Sequence, residues 1–354
     1  MRRHGEVSSD DDATTPRVGR PLTGSPIRSL GASPNYLRRR VLLGVTVLAF
    51  VAFVIGVVAV ISDAGEAEGP ASDEFALDRP IATAVQVPIS QELVTPTHHG
   101  YNSDVLYVAL YGSIGTDRLG VLGERDVAGS VAHAADVAAD YDGFAKTVVP
   151  TFEIIASIAS FEPGDDVDYS NETPIAQLQP WVDAADQAGY HVVLDLQPGR
   201  QRFPSQITEF EALLLQPHVS VALDPEWRVG LDEIPEGGKV GTVTADEVNT
   251  TVAYLDRIIE ENDLPPKMMI VHQFKNDMIS DKLDIRGTEN VQIVIHMDGF
   301  GTLGLKRETY AQITSDLPPG AVVGWKNFYD EDEPTPTPAE TMDNDPVPMF
   351  VSFQ

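Results

Sequence analysis

HVVLDLQPGRQRFPSQITEFEALLLQPHVSVALD, residues 191–224, decides the reading of the fold. A β-branched apolar run at 191–197 ends on polar residues. A helix-compatible stretch follows at 205–215, and a second apolar run at 219–224 closes on an acid. Nearly continuous apolar runs of this length suit strands buried on both faces of a parallel sheet, and strand–helix–strand is the repeating unit of α/β proteins. The same run recurs outward in both directions, at 105–111 (VLYVALY), 147–155 (TVVPTFEII), 267–273 (KMMIVHQ), 291–298 (VQIVIHMD), 321–326 (AVVGWK) and 349–353 (MFVSF), which makes eight in all. Helix-compatible stretches lie between them at 124–139, 174–188, 244–262 and 307–315. Pro174 and Gly189 punctuate the second of these as a helix start and stop. Asp246 and Glu247 open the third, where acids meet the positive end of the helix dipole. Eight strands in about 250 residues is the size of a closed barrel. The expected fold is therefore α/β, a (β/α)8 TIM-like barrel over residues 96–354. An open doubly wound sheet is the competing architecture, but Gly112-Ser113-Ile114-Gly115 after the first run is too short for a nucleotide-binding fingerprint. Residues 330–348 (DEDEPTPTPAETMDNDPVP) read as a long acidic loop that cannot be helical, and no eighth helix follows the last run. Residues 81–94, which include VQVPI, are candidates to cover the barrel instead.

The N-terminal third has a different character. Residues 41–61 (VLLGVTVLAFVAFVIGVVAVI) are apolar throughout, and a helix needs roughly 20 residues to cross a bilayer. Arg38, Arg39 and Arg40 precede the run, while Asp63, Glu66 and Glu68 follow it. The positive-inside rule then predicts a cytoplasmic N-terminus and an extracytoplasmic C-terminal domain. The expected organisation is a disordered tail at 1–40, a single transmembrane helix at 41–61, a flexible linker at 62–95 and the barrel. Cleavage is the alternative to an anchor: Arg38-Arg39 before an apolar run faintly resembles a twin-arginine signal, with Ser62-Asp63-Ala64 as a small-residue processing site. Of the chain's 24 basic and 54 acidic residues, 16 and 50 fall from residue 62 onward, a net of −34. A domain so acidic repels phosphate backbones, so a nucleic-acid partner is excluded. The absence of cysteine excludes disulfides, thiol catalysis, Cys-based zinc sites and lipid attachment through an N-terminal cysteine.

Catalytic residues of such barrels stand at the C-terminal ends of the strands. Here those ends carry Tyr111, then Glu153, then Asp195 with Gln197, then Asp224 with Glu226 and Trp227, then His272 with Gln273, then His296 with Asp298, then Trp325 with Lys326. Taken singly each has an ordinary explanation: an Asp after a strand caps a helix or forms a turn, a His is satisfied in a core, and Glu153 pairs with Lys326. Taken together they converge on one mouth, and burying such groups side by side costs several kcal/mol unless partners repay it. Three readings fit. Glycoside hydrolysis needs one protonated and one ionised carboxyl. Glu226 is the expected acid, desolvated by Trp227, with Asp224 or Asp195 as the ionised partner. Tyr111, Glu153, Gln197, Trp227, His272, Gln273, His296, Asp298, Trp325 and Lys326 are then expected to contact substrate, with Phe328 and Tyr329 adding flat faces. Metal-assisted hydrolysis is the second reading, although no HxH or HExxH spacing is present. The third is a binding module for cell-wall glycan or peptide without chemistry. No cofactor is expected, and the expected partners are the membrane through 41–61 and cell-wall glycan.

The runs YGSIGTDRLGVLGE, PTFEIIASIAS, VLDLQPGRQRF, ALDPEWRV, MIVHQF, IHMDGFG and GWKNFYDEDEPTPTP, taken in order, resemble a family of uncharacterised actinobacterial cell-surface proteins and putative lipoproteins. The likeness covers about residues 100–354. It implies an extracytoplasmic, barrel-like domain at the cell envelope and supplies no catalytic residues. Lipoprotein-type members carry a cysteine after the signal, which this chain lacks. The chain also departs from the commonest barrel glycosidases, which place a Glu on the fourth strand opposite a Glu on the seventh; here the seventh run ends in Trp325-Lys326.

Overall fold

A computed structural model describes residues 104–235 and 239–354. The expected tail, transmembrane helix, linker and covering segment at 81–94 lie outside the described residues. Among the described residues no helix is long and apolar enough to cross a membrane.

Eight strands follow the eight apolar runs: β1 Val105–Gly112, β2 Thr147–Ala159, β3 His191–Leu196, β4 Val219–Leu223, β5 Lys267–Gln273, β6 Val291–Met297, β7 Val322–Asn327 and β8 Phe350–Phe353. Each pairs in parallel with the next, and β1 pairs with both β2 and β8, so the sheet closes into a ring. The period-two alternation of each strand then divides its side chains between a lumen and an outer face. Tyr107, Ala109, Val149, Val193, Ala222, Met268, Ile270, Val294, Val322 and Phe350 belong to one buried cluster that fills the lumen. A separate, larger cluster lies between strands and helices and includes Leu106, Phe152, Leu194, Val221, Ile295 and Trp325. Burial of each such side chain contributes about 1.5–3 kcal/mol.

The helices of five residues or more are α1 Val127–Ala139, α2 Ile175–Ala188, α3 Ala245–Glu261, α4 Leu303–Thr314 and α5 Pro338–Met342. Their ends obey local chemistry. The Asp126 carboxylate accepts from Gly129 N at 2.8 Å to start α1. Gly189 ends α2 at φ 72°, where a side chain is unfavourable. The Thr244 hydroxyl accepts from Glu247 N at 3.2 Å to start α3. Glu247 does more than complement a dipole. It is buried and accepts from Phe203 N and from Arg228 Nε, both at 3.0 Å, so it ties the chain leaving β3 and the chain leaving β4 to one helix.

Two sequence expectations need correction. The stretch 205–215 is not one helix; it breaks into Phe203–Gln206, a 3-10 turn Ile207–Phe210 and Glu211–Leu214. Ile207, Phe210 and Leu213 recur every three residues and are all buried, a spacing that the tighter turn presents to the core. The acidic segment 330–348 is likewise not all loop, since it holds α5. Thr337 and Glu340 form a reciprocal capping box around Pro338 at the first helical position. That arrangement satisfies the end groups of a short helix despite the surrounding prolines.

A polar layer at the barrel mouth

Above the apolar lumen every strand contributes one polar group. Tyr111, Glu153 and Asp195 come from β1, β2 and β3. Asp224 comes from just beyond β4. His272, His296, Lys326 and Ser352 come from β5, β6, β7 and β8. Registers bring neighbours level: Tyr111 pairs with Glu153, His272 with His296, His296 with Gly324, and Lys326 with Ser352. All eight are buried.

His272 is the hub. Its Nε2 lies 3.1 Å from Glu153 Oε1 and 3.8 Å from Asp195 Oδ1, and its Nδ1 lies 3.3 Å from Asp298 Oδ2. Burial alone disfavours the imidazolium, but the Asp298, Glu153 and Asp195 carboxylates outweigh it and hold the pKa well above the usual histidine value. His272 is therefore a cation with a carboxylate on each nitrogen. Its neighbour His296 is the opposite case. Burial, reinforced by the positive His272, Lys326 and Lys306, drives its pKa well down, and its Nε2 meets the Ser352 hydroxyl at 2.9 Å.

Two acids take up protons readily. Burial pushes Asp195 up to about 6, while His272 and Lys326 pull the other way. The Tyr111 hydroxyl donates to Asp195 Oδ2 at 3.0 Å, and Gln197 Nε2 approaches the same hydroxyl at 3.5 Å. Burial, and then the Asp195 charge, hold Asp224 well above the normal carboxylate range. Three carboxylate oxygens in this layer, Glu153 Oε2, Asp195 Oδ1 and Asp298 Oδ1, have no hydrogen-bond donor among the described residues. Buried acceptors are rarely left so, because each costs about 1–3 kcal/mol.

Most of the expected site residues gather here, and four are placed otherwise: Trp325, Gln273, Glu226 and Trp227. Trp325 points outward, into the cluster between strands and helices, with its ring 5.4 Å from Tyr310 and its indole N–H donating to Asn327. Gln273 alternates out of the lumen and donates to the Lys275 carbonyl. Both follow from the strand period: each is one residue from a lumen-facing neighbour. Asp224 and Glu226 are not two positions of one extended strand. A 3-10 turn, Pro225–Trp227, begins at once, and the Asp224 carboxylate accepts from Glu226 N at 3.3 Å. Glu226 and Trp227 are consequently only half-buried on that turn, and the most buried carboxyl is Asp224. Glu153 pairs with His272 rather than with Lys326. Tyr329 stacks on Phe353, whereas Phe328 lies beside the Lys326 ammonium. Ser352 escaped the sequence reading, although its spacing from Phe350 marks it as lumen-facing.

Backbone choices support the layer. At φ 91° Gly120 lies against the end of β1, where an added Cβ would meet the Tyr111 carbonyl at 2.3 Å. On β7, a Cβ at Gly324 would stand 2.2 Å from His296 Nδ1. Gly324→Ala is therefore expected to displace the His296 ring and lower stability by about 1–3 kcal/mol, read by urea unfolding. An unchanged midpoint would mean that the ring has room to move. A second buried pair braces the rim: Lys306 Nζ donates to Asp332 Oδ2 at 2.6 Å and to the Lys326 carbonyl at 2.7 Å, and Asp332 also accepts from Gly301 N and Phe328 N. Among the described residues no three His, Asp or Glu side chains are arranged to hold a metal ion.

Neither a protein-family model nor a curated protein matches this chain. Solved structures with a similar chain course include a spore coat polysaccharide biosynthesis protein of Bacillus subtilis, 13% identical with a TM-score of 0.36, which matches over 74% of this chain and 62% of its own length. Dihydropteroate synthase from Stenotrophomonas maltophilia is 11% identical with a TM-score of 0.34, over 71% and 88% of the two chains. Trehalose-6-phosphate hydrolase from Bacillus licheniformis is 10% identical with a TM-score of 0.23, over 63% and 44%. Likenesses this distant carry nothing about chemistry.

Proposed function

We propose that this chain is a membrane-anchored, extracytoplasmic barrel that hydrolyses cell-envelope glycan. Support for the placing is sequence alone: the 21-residue apolar run at 41–61, the arginines before it, the acids after it and the motif likeness to actinobacterial cell-surface proteins. Support for hydrolysis is one structural observation: two buried carboxyls stand on adjacent strand ends, Asp195 and Asp224, the Asp195 charge helps hold the Asp224 proton, and Asp195 Oδ1 is left without a hydrogen-bond donor. Glycoside cleavage uses a carboxyl pair with divided roles. Asp224, kept protonated by burial, is the acid that delivers a proton to the departing glycosidic oxygen. Asp195, ionised above about pH 6 and oriented by Tyr111, is the partner that attacks the anomeric carbon or activates water. This division replaces the Glu226 assignment drawn from sequence. His272 positions the partner carboxylates rather than reacting.

The test is incubation of the full chain with peptidoglycan fragments and a polysaccharide panel, scored by new reducing ends. Release that disappears in Asp224→Asn supports the reading. Glycan binding without any product after long incubation would identify a binding module instead.

A further inference from the structure

We infer that the mouth recognises a sugar acid: the Lys326 ammonium takes the ligand's carboxylate while the neighbouring carboxylate oxygens take its hydroxyls. This rests on the glycan reading above and narrows its substrate to uronate-bearing glycan.

Lys326 is only 4% exposed. Its Nζ stands 3.4 Å from the centre of the Tyr111 ring and 5.3 Å from that of Phe328, and among the described residues it makes no hydrogen bond or ion pair. The other cations around it are provided for. His272 has Glu153, Asp195 and Asp298, and Lys306 has Asp332. An ammonium over a ring face recovers about 2 kcal/mol when desolvated, less than the several kcal/mol that burying the ion costs. Three N–H donors remain to be used. The Asp195 and Glu331 charges act on this ammonium only from beyond ion-pair distance, and Glu153 is turned toward His272. The missing partner is therefore an anion brought from outside.

The acceptors define the rest of the ligand. Glu153 Oε2, Asp195 Oδ1 and Asp298 Oδ1 lack donors in the same layer. One molecule that satisfies both needs carries a single anionic group and several hydroxyls, which is the chemistry of a hexuronate residue. A phosphosugar shares the anion and the hydroxyls. It is the poorer fit, because a second negative charge would meet Glu153, Asp195 and Asp298, while the other cations near the layer, His272 and Lys306, already have carboxylate partners.

The experiment uses the full chain in mild detergent, titrated calorimetrically with glucuronate, glucose and glucose 6-phosphate, with Lys326→Met and Lys326→Gln alongside. The expected result is glucuronate bound about 10-fold or more tighter than glucose, with the preference erased in both variants while their circular dichroism and melting match the wild type. The wild-type comparison stands even if a variant misfolds. Equal affinity for glucose and glucuronate, no binding of glucuronate, or a preference that survives in Lys326→Gln overturns the proposal. Tighter binding of glucose 6-phosphate overturns the carboxylate assignment. Glucuronate bound with no glycan cleaved anywhere defeats the hydrolase reading alone, and equal cleavage of neutral and uronate glycans defeats this inference alone.

Discussion

His272→Asn is expected to unfold about 3–5 kcal/mol more easily than the wild type at pH 7, the cost of removing one partner from a buried charge cluster. The His272 side chain is fully buried between Glu153, Asp195 and Asp298. Asparagine keeps some hydrogen-bonding capacity but neither the charge nor the reach to both sides. The sign with pH follows from linkage. The folded pKa of His272 is raised, so its contribution is complete below the unfolded value near 6.5 and is lost only as pH climbs through the higher folded value. Wild type therefore retains it at neutrality. Asp195, pushed up to about 6 even beside the cation, is expected to hold its proton to higher pH without it. Holding that proton costs nothing near pH 4, where unfolded carboxyls are protonated too, and costs progressively more toward pH 7. The stability gap between variant and wild type should accordingly be present at pH 4.5, where the His272 contribution is already complete, and wider at pH 7, where the Asp195 cost adds to it, as measured by urea midpoints at both. A gap of the same size at both values would mean that Asp195 keeps its proton affinity without the cation, and would remove the coupling between His272 and Asp195.

The barrel could be read from sequence because parallel strands covered by helices must be apolar on both faces, and that leaves a run the eye can count. All eight runs became strands, with ends shifted by no more than a few residues. The polar layer was legible for the same reason: a charged residue closing an apolar run stands out, as Glu153, Asp195, His272 and Lys326 do. What sequence could not settle was which of two neighbours faces the lumen. Trp325 and Lys326 look equally functional as letters, yet the ring closure that makes Gly324 level with His296 sends the tryptophan outward. Asp224 and Glu226 are separated by a turn. Extended geometry would have set them side by side, but Pro225 opens a 3-10 turn, and the carboxyl kept at the mouth is Asp224. Ser352 was invisible because a serine in a strand carries no signal until its partner, His296, is known to lie across the lumen. The helix at Pro338–Met342 was hidden by composition, since three residues of capping chemistry outweighed a surrounding excess of proline that argued for loop.

Asp195→Asn is expected to reduce kcat/KM on a cleaved glycan about 100- to 10,000-fold, the range over which positioned acid–base groups act. The substitution is nearly isosteric, and its carbonyl oxygen still accepts from the Tyr111 hydroxyl, so the fold and the Tyr111 position should survive. What disappears is the negative charge that must form or share a bond at the anomeric centre. The pH profile separates this from a general loss of function. In the wild type, activity should rise as pH passes about 6, where Asp195 ionises, and fall at higher pH as Asp224, held well above the ordinary carboxyl range by burial and by Asp195, gives up its proton. Asp195→Asn should remove the acidic limb of what activity remains, and Asp224→Asn the alkaline limb. The half-buried Glu226 supplies the decisive comparison, because it was the acid that sequence favoured. If Glu226→Gln abolishes turnover while Asp224→Asn leaves the profile intact, the proton comes from the turn after β4, and the division of roles between the two buried aspartates is wrong.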